Sequence, residues 1–202
     1  FIANPEAYIK RALEPAAKTM VIEYSSPNIA KPLGVHNFLS TVIGESLKRI
    51  CKAYGYKTIG ENYPGDIGTQ FGKLIHAIKT WGDEKKIEKN PIDELLALYV
   101  KFHEEAEKNP ALEEAGRAEY KKFEEGDPLV RALWKKIVDW SFKEIQPLYE
   151  RLDVHFDGVH GESFFEDRMQ QILEDGRAKG IFVDGEKGAW VVMPDDPQNP
   201  PA

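Results

Sequence analysis

Two short β-branched runs, each followed by a turn-rich loop and then a helix-period stripe, constrain this chain more than any other feature. Thr19 to Tyr24 (TMVIEY) reads as a buried strand, closed by the turn-forming Ser25 to Asn28 (SSPN) and the Lys31-Pro32 step. From Asn37 onward Phe38, Leu39, Val42, Ile43, Leu47, Ile50 and Tyr54 recur at helical steps. Lys48, Arg49 and Lys52 stand toward the carboxyl end, where the helix dipole favours cations, and Gly55 stops the helix. Tyr56 to Ile59 (YKTI) is a second short strand, followed by a polar loop and a helix over about residues 68–81. Strand, helix, strand, helix at this spacing predicts parallel strands joined by a right-handed crossover, the first part of a doubly wound α/β sheet.

The rest of the chain interrupts that pattern and then resumes it. A short helix is expected over residues 5 to 17. Beyond Gly82 the sequence turns helical and highly charged, and Asn90-Pro91, Asn109-Pro110 and Asp127-Pro128 each mark a helix start. The third helix carries Val130, Leu133, Trp134, Ile137, Val138, Ser141, Ile145, Leu148 and Leu152 on one stripe, with a kink or early end expected at Pro147. A loop through His160 to Ser163, a helix over about 165–179 and a hairpin of Ile181 to Asp184 with Ala189 to Met193 follow. The expected organisation is residues 1–81 as an N-terminal helix and the first half of the α/β domain, 82–193 as a mainly helical insertion with a small α/β return segment, and 194–202 as a proline-rich tail.

Composition limits the function classes. A chain of 202 residues with net charge −7 does not present a surface built chiefly to grip a polyanion, although a local basic patch is compatible with it. The Lys pairs at 85–86, 121–122 and 135–136 alternate with acids as on solvated helix faces. No run of 18 uncharged apolar residues exists to cross a bilayer, so no membrane partner is expected. Cys51 is alone and the N-terminus lacks the succession of a secretion signal, which makes a reducing cytoplasm the expected compartment.

Chemistry-bearing residues gather in three loops. After the first strand, where ligands of open α/β sheets sit, come Glu23, Ser25, Ser26, Asn28, Lys31, Gly34, His36 and Asn37. Ser25 and Asn28 serve equally as turn formers, and His36 or Asn37 as a helix cap. The second loop, Asn62 to Gly72 (NYPGDIGTQFG), offers Asp66, Thr69 and Gln70 beside three glycines; it reads either as a site loop or as a glycine turn with an Asp cap. It is not a P-loop, because Leu74 follows Lys73 where Ser or Thr would meet magnesium. The third is Gly161-Glu162-Ser163, after His155 and His160, two histidines whose spacing makes a poor metal site.

Taken together, Val21 to Leu47 (VIEYSSPNIAKPLGVHNFLSTVIGESL), Gly60 to Ile75 (GENYPGDIGTQFGKLI) and Asp157 to Asp167 (DGVHGESFFED) resemble, in order and spacing, the catalytic signatures of arginyl-tRNA synthetases. LYVKFHEEAEKNP and EEGDPLVRALWKKIVDWS look like that family's helical insertion, so the resemblance covers about residues 19–193. It implies a class I aminoacyl-tRNA synthetase fold, an α/β Rossmann-like nucleotide-binding domain that joins arginine to ATP, with Mg2+, and passes arginine to tRNA-Arg; no tightly bound protein metal is implied. By resemblance Glu23 contacts the arginine side chain, Ser25 and Asn28 hold its backbone groups, and Glu162 adds to the same site. A planar guanidinium does call for charge-assisted carboxylate partners.

The same resemblance places ATP near Lys31, Gly34, His36 and Asn37, with His36 and Asn37 as the catalytic pair and Asp66 and Gln70 in an adjoining site loop. The family's HIGH signature reads Gly34-Val35-His36-Asn37 here, with His36 where the Gly belongs and Asn37 in place of the second His. His36 reaching the α-phosphate, or Asn37 donating from the helix N-terminus, are the two roles this leaves open. The family's lysine-rich KMSKS loop, second half-sheet and anticodon-binding domain are not in these residues, so low activity is expected of the chain alone. The alternative is a truncated or designed synthetase-like scaffold that at most binds arginine or ATP; another class I adenylate-forming enzyme fits the motifs less well. No sequence feature sets an oligomeric state.

Overall fold

The computed structural model describes residues 18–185 and 190–192, which divide into two compact units between Glu162 and Ser163. The helix expected over 5–17 and the tail from 194 lie outside the described residues. In the first unit three strands form a parallel sheet in the order β1 (Thr19–Glu23), β2 (Lys57–Asn62), β3 (Gly158–Val159). β1 pairs with β2 from Thr19 opposite Lys57 to Glu23 opposite Glu61, and α1 (Val35–Ala53) makes the crossover. This is the βαβ unit expected from the sequence. β3 falls where a loop is expected, because a two-residue strand has no alternation to read. Its pairing with Glu61 and Asn62 brings the third loop beside the second.

Five helices follow β2: α2 (Thr69–Trp81), α3 (Glu84–Lys89), α4 (Pro91–Lys108), α5 (Ala111–Glu124) and α6 (Pro128–Arg151). Most of the unit's apolar burial lies among these helices, with Phe71, Ile75, Ile87, Leu95, Phe102, Phe123 and Ile137 all at most 1% exposed. α2 and α5 approach closely because Gly72 faces Gly116, where a side chain on Gly72 would strike the Tyr120 backbone nitrogen and Cβ. The Asp127 carboxylate accepts from the Leu129 and Val130 N–H groups at the start of α6. α6 runs four residues past Pro147, without the early end expected there. Pro147 is exposed, so its ring meets solvent, and its missing N–H falls near the helix end.

α1 forms where its periodicity places it, but its apolar stripe is not its buried face. Leu39, Val42, Ile43, Leu47, Ile50 and Tyr54 are 47–62% exposed, whereas Thr41, Gly44 and Glu45 are buried. The reason is the contact with β1: Gly44 lies against the Tyr24 ring, and polar groups complete the joint. Tyr24 Oη donates to Glu45 (2.7 Å), Arg49 donates to Glu45 (2.8 Å) and pairs with Asp153 (3.0 Å), and Lys48 pairs with Asp157 (3.0 Å). β1 is likewise not the buried strand expected, since Val21 is 63% exposed. A second, smaller core of Tyr24, Ile145, Tyr149 and Val154 joins the sheet to the end of α6.

The second unit holds α7 (Glu166–Ala178) and an antiparallel hairpin of β4 (Phe182–Asp184) and β5 (Trp190–Val192). Gly176 on α7 leaves room for the Phe182 ring, and the Arg177 guanidinium stands 4.7 Å from the Trp190 ring centre. Of the turn expected at 185–188, only Gly185 is among the described residues.

Candidate functional site

The carboxyl ends of β1 and β2 open onto one rim, as the α/β topology requires. At the end of β1 the chain turns sharply: Ser25 (φ 75°) and Ser26 (φ 46°) are both left-handed, a conformation costing non-glycine residues about 1–2 kcal/mol each. The turn buries Ser25, at 4% exposure, with its hydroxyl 2.7 Å from that of Tyr149. It leaves the Ser26 hydroxyl donating to the Glu23 carboxylate at the open rim. Both serines border the groove with Glu23, and it is the Ser26 hydroxyl that meets its carboxylate.

Asn28 meets the second loop through a parallel bridge to Gly65, with Ile29 N donating to Gly65 O (3.0 Å) and Gly65 N to Pro27 O (3.0 Å). Gly65 is needed for this approach: a Cβ there would stand 2.7 Å from Asn28 Oδ1 and 3.8 Å from Glu162 Oε2. Glu162 is in turn anchored by its own N–H on Pro64 O (3.1 Å). Asp66 is buried, its carboxylate against Gly161, and its carbonyl accepts from the Trp134 indole (2.6 Å). Tyr63 precedes Pro64 in the same loop, its N–H directed at Ser26 Oγ (3.4 Å). Burial, and then the negative charges of Glu162, Asp66 and Glu23, hold its phenol above the ordinary value. Negative charge from Glu162, Asp66 and Glu23 thus reaches Tyr63, which favours a cation nearby.

A groove of about 510 Å³ runs from this rim along α1, lined at its polar end by Glu23, Ser26 and His36 and along its wall by Leu39, Ile43 and Leu47. Gly34 caps α1 in an extended conformation, and its N–H donates to Asn37 Oδ1 (3.0 Å). The amide of Asn37 therefore acts as a cap. The ring of His36 folds over Gly34, where a Cβ would lie 2.7 Å from His36 Cε1. With no acid in the first turn of α1, this helix start suits an anion.

Two other sequence candidates lie elsewhere. The Lys31 ammonium stands 5.5 Å from the centre of the Tyr99 ring on α4, and Gln70 donates weakly to Ile67 O (3.4 Å) beside that same aromatic patch. His160 pairs with Glu61 (2.7 Å), and among the described residues no group of three His, Cys, Asp or Glu could hold a metal ion.

The family model for the catalytic domain of class I (R) tRNA synthetases matches residues 4–199. The chain belongs to that family. It is similar to the arginine–tRNA ligase of Clostridium botulinum, 51% identical over 184 residues, which are 91% of this chain and 32% of the relative. The arginine–tRNA ligase of Clostridium beijerinckii is 48% identical over 206 residues, 97% of this chain and 36% of the relative. Among solved structures the arginyl-tRNA synthetase of Plasmodium falciparum superposes with a TM-score of 0.68 at 26% identity, over 90% of this chain and 30% of that one. The chain thus spans about a third of the length of the curated relatives it matches.

Within this synthetase family segment, sequence reasoning missed Tyr63, Asn62 and Tyr149 as parts of the site. Tyr63 was legible as an exposed aromatic in a glycine-rich loop. Asn62, which opens the second loop, and Tyr149, near the end of α6, lie buried behind the rim, and nothing in the local sequence pairs them.

Proposed function

We propose that this chain supplies the arginine-recognising wall, and part of the ATP-facing wall, of an arginine–tRNA ligase. The Glu23 carboxylate at the polar end of the groove, with Asn28 and Glu162 brought together over Gly65, carries the reading, because a guanidinium calls for a carboxylate partner. Glu23, oriented by Ser26, takes the guanidinium. Asn28, exposed at the same rim, holds the amino acid's polar backbone, with Glu162 beside it.

In the reaction the arginine carboxylate attacks the α-phosphate of ATP. A carboxylate oxygen–phosphorus bond forms, pyrophosphate leaves with the bonding pair, and arginyl-adenylate remains for transfer to tRNA-Arg. His36, at the positive end of α1, stabilises charge on the phosphates, while Asn37 shapes the helix start by capping Gly34. Lys31 would have to leave the Tyr99 ring to reach the nucleotide. Mg2+ supplies charge neutralisation on ATP and enters with the nucleotide.

Arginine-dependent ATP–pyrophosphate exchange, measured on the full-length polypeptide containing this chain, tests the proposal, with calorimetric titration of arginine into the chain itself. Activity that falls at least a hundredfold in Glu23→Ala and Asn28→Ala is the expected result, on the order of a lost charged hydrogen bond or more. Exchange indifferent to both substitutions would refute it. Arginine binding without any exchange would favour the scaffold reading.

A further inference from the structure

Behind the rim, the two left-handed serines are held by a closed set of buried hydrogen bonds that the proposed chemistry does not require. Ser25 Oγ lies 2.7 Å from Tyr149 Oη; Asn62 Nδ2 donates to the same Tyr149 oxygen (3.3 Å), and Asn62 Oδ1 accepts from the Ser26 N–H (3.1 Å). Asn62 and Tyr149 are 0% and 2% exposed and lie behind the groove, while Ser25, 4% exposed, borders it. The geometry is directional. Asn62 spends its oxygen on the backbone of Ser26 and its nitrogen on Tyr149, and Tyr149 holds the side chain of the preceding residue. Between them they fix both halves of the Ser25–Ser26 step. The Tyr149 ring is itself fixed, edge-on to Phe156 with ring centres 5.0 Å apart.

We propose that Tyr149, at the end of α6, and Asn62, at the end of β2, are positioning residues for arginine recognition. They hold Ser25 and Ser26 left-handed so that the Ser26 hydroxyl stays on Glu23 and presents that carboxylate to the guanidinium. The inference rests on the proposed role of Glu23. It makes the helical block a working part of the amino-acid site, through one phenol placed 124 residues from the serine it holds.

The test uses the full-length polypeptide containing this chain and compares KM for arginine with KM for ATP. Tyr149→Phe keeps the ring and removes only the hydroxyl. It is expected to raise the arginine KM about tenfold, the scale of one lost buried hydrogen bond, and to leave the ATP KM within about twofold. Ser25→Ala removes the same bond from the loop side and should do likewise, and the double variant should be no worse than either alone. Thermal melts establish that each variant is folded at the assay temperature.

An arginine KM unchanged in both single variants, while Glu23→Ala raises it, overturns the clamp and leaves the proposed function standing. An equal rise in both KM values means general loosening and also overturns it. A parent protein without arginine dependence overturns the proposed function and the clamp together.

Discussion

Gly44→Ala sets two physical arguments against each other with opposite signs. On helix propensity alone the change should stabilise, since alanine is better than glycine in a helix interior by about 1 kcal/mol. Packing argues the reverse. A Cβ on Gly44 would stand 2.9 Å from Tyr24 Cδ1 and nearer still to Cβ and Cγ, where carbon atoms ordinarily rest about 3.5–4.0 Å apart. The atoms struck are the near end of a buried side chain on β1, which cannot swing aside as the tip of a lysine could. α1 must therefore lift from the sheet by on the order of 1 Å, which strains the Tyr24–Glu45 hydrogen bond as well. Overpacking of this kind costs about 3 kcal/mol at the upper end of its usual range, so the net loss is about 2 kcal/mol. In a domain of this size that lowers Tm by about 4–8 °C. Urea unfolding followed by circular dichroism, with exposed Ser46→Ala as the control, measures it. A Gly44→Ala protein as stable as its parent, or more so, would show that α1 does not sit on Tyr24 as described.

Three further outcomes follow from named contacts. Gly65→Ala should leave stability nearly unchanged, because its Cβ meets only the far end of the Asn28 side chain, yet should weaken arginine binding about tenfold by displacing that amide; calorimetry that finds normal affinity would dissociate Asn28 from the site. Burial raises the Glu45 carboxyl, but hydrogen bonds from Arg49 and Tyr24 and the charge of Lys48 outweigh it and hold the carboxyl below its ordinary value near 4.5. Asp157 is likewise held low by the Gly60 N–H and by Lys48. Both carboxylates therefore contribute stability that is present above the unfolded-state values and is lost as pH falls through the folded-state ones. Urea midpoints should drop on acidification below about pH 4.5, less steeply in Glu45→Gln, and identical acid limbs would be the wrong result. Pro147→Ala should stabilise by about 1–2 kcal/mol by restoring a helix N–H at an exposed position, and a lower Tm would mean that the ring is structurally required.

What the sequence made legible, and what it concealed, divides along physical lines. The βαβ unit and the hairpin were readable because each is built from contiguous residues with a period of their own, as in Thr19 to Tyr24 or the stripe of α6. That Glu23, Asn28 and Glu162 fall near one another was readable from their places at strand ends and in the loops that follow, and Asp66 lies buried beside them. The division of labour between Ser25 and Ser26 was not, since it depends on two left-handed φ angles and on a phenol brought in from residue 149. Lys31 shows the same limit in the other direction: a cation beside a site loop is drawn to the nearest aromatic face, and that face belongs to α4.

Periodicity concealed most at α1, and the reason bears on function. An apolar stripe at helical spacing establishes only that one face avoids water, while burial also needs a partner of matching shape. In this unit the partner surface of the sheet is reached by the opposite face, because Gly44 permits a closer approach to Tyr24 than any stripe residue could make and Glu45, Lys48 and Arg49 satisfy the polar groups there. The stripe is thereby left to line the groove that ends at Glu23, Ser26 and His36. Leu39, Ile43 and Leu47 present an apolar wall to that groove, opposite in character to its polar end. The same glycine that turns the stripe outward therefore helps shape the wall of the groove that ends at Glu23.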